Sequence, residues 1–230
     1  VERAQALAIQ GGAWGGATHA QLWPQIIERL AVPQQMNGTS LAEWLRLYPA
    51  MLMMYSIGLA AAAQDRLATL KEVLYKPRYR DISETKPLIS HRFWADMHEP
   101  IKTIKEHNNN FTPRSEHLFA VLREPLRRFL PDEKQYDEAF DQVEYLIALT
   151  HLDLEKEESK FYGPWAPTGR YAWKARRGNS RSRLFEAESE LKAEGAAWAP
   201  LRAGFFSGKA ERAAELQAKL REFIGKLNYF

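Results

Sequence analysis

Along most of the chain, apolar residues recur three or four positions apart, the spacing of a single helix face. The exception is Ala50 to Ala63, a run of 14 residues without a charge, with Arg46 and Asp65 close outside it. A membrane helix needs roughly 20 apolar residues, so a run of this length predicts a helix surrounded by other helices. Ser40 with Glu43 predicts a capping box and a helix from about Leu41. Pro49 then kinks the chain or begins a second helix. After Gln64 and Asp65, helical spacing resumes at Leu67, Leu70, Val73 and Leu74. Ser40 to Lys76 therefore reads as a helical hairpin with a very apolar first arm.

The remaining segments read as helices covering that arm. Val1 to Gln10 predicts a helix stopped by Gly11, Gly12, Gly15 and Gly16, a connector that lacks the lysine of a phosphate-cradling loop. Thr18 is placed to cap the next helix, whose face is Leu22, Ile26, Ile27 and Leu30. Lys76 to Lys86 is polar, contains a proline, and reads as a loop. Phe93, Trp94, Met97, Ile101 and Ile104 predict a further helix. Thr112 with Pro113 predicts a helix start, Pro125 a bend, and Leu130 to Asp132 an end. The clearest amphipathic helix runs from Asp132 to about Glu157, with Tyr136, Phe140, Val143, Ile147 and Leu154 on one side. Leu184 to Glu194 and Lys209 to Lys226 supply two last helices, the second capped by Ser207. The expected fold class is all-α: one compact bundle of about eight helices over residues 1–230, with Pro49 to Ala63 central and Asp132 to Glu157 beside it.

Charge refines this picture locally. The net charge of +3 on 230 residues argues for no particular partner. Between Asp132 and Glu158, however, ten acidic residues stand against Lys134 and Lys156, while Lys160 to Arg183 holds seven basic residues and no acidic ones. This second stretch, with its prolines and glycines, reads as an irregular basic and aromatic loop over 160–183 in which RYAWK is a candidate short strand. Arg170, Lys174, Arg176, Arg177, Arg181 and Arg183 are candidate phosphate contacts, and Trp165, Tyr171 and Trp173 candidate stacking platforms for exposed bases. The competing expectation is that the basic stretch pairs with the acidic helix before it. Lys76, Arg78 and Arg80, with Tyr75 and Tyr79, form a second small basic group.

Other chemistry is less well supplied. The chain has no cysteine, which excludes disulfides and a thiol nucleophile and is compatible with a reducing cytosol. His91 and His98 lie two helical turns apart, and His151 and Asp153 point to different sides of a helix, so the spacing predicts no metal site and no cofactor. The carboxylate pairs Asp137 and Asp141, and Glu157 and Glu158, read as solvated charges. Among nucleophile motifs, neither a Gly-x-Ser-x-Gly elbow nor a His-Glu-x-x-His helix occurs.

RFWADMH, Arg92 to His98, resembles the motif of HEPN ribonucleases, small all-α domains that cleave RNA without metal. That resemblance implies Arg92 as the stabiliser of phosphorane charge and His98 as acid or base. Phe93 departs from it, since the position after the arginine is commonly polar in that family. LRLYPAMLMMYSIGLAAAAQDRLATL and FDQVEYLIALTHLDL resemble segments in the helical C-terminal regions of uncharacterised multidomain bacterial proteins, some with defence-type effector domains. This resemblance spans about a quarter of the chain and implies a piece of a longer protein. The reading is then a cytoplasmic, non-enzymatic interaction or sensing module. Its partners would be other domains of its parent, another protein, or RNA or DNA, and no membrane. The alternatives are a HEPN-like ribonuclease and an oligomerising scaffold.

Overall fold

The computed structural model describes residues 2–31, 46–80, 85–89, 101, 112–154, 165–179 and 181–227. The capping box at Ser40, the helix expected around Phe93 to Ile104 apart from a buried Ile101, and the Arg92 and His98 motif lie outside them. The described residues form α1 (Glu2–Trp14), α2 (Ala17–Ala20), α3 (Leu22–Leu30), α4 (Tyr48–Ala63), α5 (Leu67–Tyr75), α6 (Pro113–Leu126) and α7 (Glu133–Leu154). They continue with α8 (Arg170–Arg176), α9 (Arg183–Glu194), α10 (Ala199–Arg202) and α11 (Ala210–Lys226), with single 3-10 turns at Gly195–Ala197 and Phe205–Gly208. The all-α bundle stands, with more helical segments than the eight or so expected, because α2, α8 and α10 are too short to leave a periodic signal.

At its centre lies α4. Every residue from Ala50 to Ala61 is buried, and α1, α3, α5, α6 and α7 pack around it. A helix apolar on all sides has no solvent face to present, so it must be enclosed. Its start follows the sequence, with Tyr48 and Pro49 in the first turn. Beside it runs α7, whose first turn is capped by the Asp132 carboxylate accepting from Gln135 N at 2.8 Å. Tyr136, Phe140, Val143 and Ile147 face the core as the spacing predicts. Among the described residues, no helix is long and apolar enough to cross a membrane.

Several local expectations need correction. The glycines after Gln10 do not stop α1, which continues to Trp14. A Cβ on Gly12 would sit 2.5 Å from the carbonyl oxygen of Ile57, and one on Gly11 would enter the ring of Trp23. They are therefore close-approach positions, where bare backbone lets α1 settle onto α4 and α3. Thr18 lies inside α2 and caps nothing, and Gln21 precedes α3 without a side-chain bond. Thr112 stands where a cap is expected, yet its side chain makes no capping bond. Ser207 sits in the 3-10 turn with φ 56°, and Lys209 takes the position before α11. Lys76 to Lys86 includes an antiparallel ribbon, β1 (Arg78–Arg80) with β2 (Thr85–Pro87), in which Tyr79 pairs with Lys86.

Among the polar contacts that tie the polypeptide after α9 back to the bundle is a junction at Asp153. Tyr75 Oη donates to Asp153 Oδ2 at 2.8 Å and accepts from Phe206 N at 3.3 Å. Arg212 Nε donates to Asp153 Oδ1 at 2.8 Å. Phe206, at φ 54°, is held by stacking on buried Trp198 with ring centroids 6.4 Å apart.

Candidate functional site

The stretch 160–183 is only in part an irregular loop where it is described. Residues 165–169 have no regular secondary structure, and the RYAWK segment considered as a strand begins the helix α8. Arg170 and Lys174 are four residues apart and so share one face of that helix. Asp137 and Asp141, also four apart, share a face of α7, and the two faces meet. Arg170 bonds Glu116 at 2.5 Å and Asp137 at 3.1 Å, and its guanidinium lies 3.8 Å from the centre of the Phe119 ring. Lys174 Nζ bridges Asp137 at 2.6 Å and Asp141 at 2.7 Å. Asp137 and Asp141 are therefore not the solvated charges their pattern predicts. They receive the cations of α8.

One turn further along α7, Glu144 continues the same row into the core. Its Oε2 accepts from Ser115 Oγ at 2.7 Å and from Arg170 N at 3.1 Å, and its Oε1 accepts from Tyr55 Oη at 3.3 Å. Gly169 lies against this carboxylate so closely that a Cβ there would overlap Oε2. Arg114, on α6, donates to Thr168 O at 3.1 Å and adds a second attachment for the segment before α8. Burial pushes the Glu144 carboxyl up to about 7, against the pull of the Ser115 bond and the Arg114 charge. Burial likewise raises Asp141 to about 6, outweighing Lys174.

The six predicted basic residues thus divide. Arg170 and Lys174 are committed to the carboxylates of α6 and α7, and Arg183 forms a two-bond fork with Glu190 at 2.5 and 2.6 Å. Glu190 also accepts from Trp198 Nε1 at 3.0 Å. Arg176, Arg177 and Arg181 are exposed, and no described carboxylate pairs with them. The predicted aromatic platforms divide too. Tyr171 is 0% exposed, set edge-on to Tyr145 with centroids 5.8 Å apart, and so has no face to offer a base. Trp165 is half-buried and edge-on to His151. Trp173 is half-buried, with the Arg177 guanidinium 4.3 Å from its ring centre.

In the second basic group, Lys76 pairs with Glu72 at 2.5 Å and Tyr75 is occupied by Asp153, while Arg78 is exposed. His151 turns to Ile89 O at 2.7 Å and Asp153 to Tyr75 and Arg212, the opposed directions their spacing predicts. His117 is bonded to Tyr48 Oη at 2.8 Å. Among the described residues, no three potential ligands converge on a point where a metal ion would fit.

Sequence reasoning missed Glu144, Ser115, Arg114 and Tyr55. The first carried a signal, since Asp137, Asp141 and Glu144 form an i, i+4, i+7 row that matches the cation spacing of α8. The other three come from helices far away in the chain and leave no local trace. No family model, no curated protein and no solved structure matches this chain.

Proposed function

We propose that this chain is a cytoplasmic, non-enzymatic interaction module of a larger bacterial protein, contacting an anionic partner such as RNA or DNA. The contact is the end of α8: Arg176, Arg177 and Arg181, with Trp173 beside them. One observation carries the reading. These three guanidiniums face solvent without a described carboxylate partner, while the neighbouring cations are consumed by the protein's own acids. Exposed arginines release counterions on meeting phosphates, and a flanking tryptophan gives bases a stacking surface. The charges buried under α8 hold this surface in place and take no part in binding.

Labelled single-stranded RNA and DNA, titrated with the protein at two salt concentrations, test the proposal. Binding at low salt that weakens as salt rises supports it. No binding at low salt removes the nucleic-acid partner and leaves contact with a protein surface.

A further inference from the structure

We propose that the outer face of α1 joins two copies of this chain into a dimer, the two helices lying antiparallel about a two-fold axis. From Ala4 to Ile27 the sequence holds no aspartate, glutamate, lysine or arginine, yet much of this stretch is exposed, on α1, α2 and the first turn of α3. Solvated protein surface carries roughly a quarter to a third charged residues, and charge is depleted where a surface is to be covered.

On α1, Gln5 and Gly12 meet Ser56 and Ile57 of α4, and Ala8, Ile9 and Ala13 are buried with them. The opposite ridge is Arg3, Leu7, Gln10 and Trp14, all exposed. Leu7 at 64% and Trp14 at 65% are the most exposed large apolar side chains among the described residues. Phe129, edge-on to Trp14 with ring centroids 5.4 Å apart, props the indole in place. A helix that is apolar outside as well as inside needs cover on both faces.

The spacing of the ridge fits a copy of itself. Arg3 stands four residues before Leu7 and Trp14 four after Gln10, so the ridge is symmetric about a point between Leu7 and Gln10. A two-fold axis there brings Arg3 to the partner's Trp14 and Leu7 to the aliphatic stem of the partner's Gln10. The same contacts recur across the axis, as an isologous interface requires. The one cation of the ridge, with no described carboxylate paired to it, meets an aromatic ring, which attracts it. No like charges meet at the axis. One helix face per copy is a small interface, so the dimer is weak, with a dissociation constant on the order of 10–100 μM.

Sedimentation equilibrium of the full chain from about 5 to about 500 μM brackets that constant. The mean mass should rise with concentration from 26.5 kDa toward twice that value. Leu7→Glu and Arg3→Glu alter exposed side chains, so each should leave the unfolding free energy unchanged and weaken association roughly tenfold or more. Cysteines introduced into this cysteine-free chain report the direction of the helices. In the antiparallel pair, residue 3 and its own copy lie about 16 Å apart along the axis, beyond the reach of a disulfide, and so do residue 14 and its copy. Arg3→Cys and Trp14→Cys should therefore cross-link when mixed and oxidised, and neither should alone. A single-chain mass at every concentration would overturn the proposal and leave the face to a different protein. Full association by Leu7→Glu, a mixture that fails to cross-link, or cross-linking by Arg3→Cys alone, the mark of parallel helices, would overturn it too. This contact lies on α1, so its outcome is separate from RNA binding at the end of α8.

Discussion

A methyl group on Gly169 would overlap the Glu144 carboxylate, and neither can yield without breaking the bonds to Ser115 and Arg170 N. Gly169→Ala should therefore destabilise the protein by about 1–3 kcal/mol in urea unfolding, and Gly12→Ala, pressed on the Ile57 carbonyl, by a similar amount. A loss below roughly 0.5 kcal/mol at both, the range of an ordinary surface change, would show that these approaches are looser than described. Glu144 gives the pH dependence. Its folded-state value of about 7 lies above the ordinary 4.5, so between those values the folded protein retains a proton that the unfolded chain has released. This contribution to stability is complete below about pH 4.5 and is lost as pH rises through about 7, with Asp141 adding a loss that ends near 6. Unfolding free energies measured from pH 5 to 8 should fall less steeply in Glu144→Gln, which has no proton to lose. Equal slopes would contradict the assignment. None of this was legible beforehand, because a glycine's role depends on what stands opposite it. Gly11 and Gly12 look like a chain break next to Gln10, and only Trp23 and Ile57 show that they are contact points.

At the scale of elements, the pairing of α8 with α7 is the arrangement that matters. Two cations one turn apart meet two carboxylates one turn apart, and the partly buried Lys174 serves both acids. Lys174→Met would leave Asp141 buried without its counter-charge. A loss of about 3 kcal/mol is expected, since removing one partner of a buried pair strands the other. Restoration of stability by Asp137→Asn with Asp141→Asn in the same chain would confirm the pairing, and independent, additive losses would refute it. The long elements were legible because α7 repeats its apolar face over six turns, and α4 is apolar throughout, a pattern that only enclosure permits. The short ones were not. Arg170–Arg176 is two turns long and follows prolines and glycines, so local pattern cannot tell it from a loop. Its helical state comes from the carboxylates it rests on, which lie 26 or more residues earlier in the chain.

For the molecule as a whole, α4 is the axis, and charge is arranged by depth around it. Carboxylates and cations meet along α6, α7 and α8, one carboxylate continues into the core beside Tyr55, and the exposed arginines are left at the end of α8. The acidic and basic blocks of the sequence made both self-pairing and partner binding reasonable. The structure pairs three of the six with the protein's own carboxylates and leaves the other three exposed, a division that depends on which helix face each occupies and that net charge cannot express. Binding of labelled single-stranded RNA at low salt, compared between Arg176→Ala with Arg177→Ala and Lys174→Met, tests this division most directly. The account predicts that the arginine pair abolishes binding with no change in unfolding free energy, and that Lys174→Met lowers stability yet binds normally wherever it remains folded. Full binding by the arginine variant, or loss of binding by folded Lys174→Met, would contradict it.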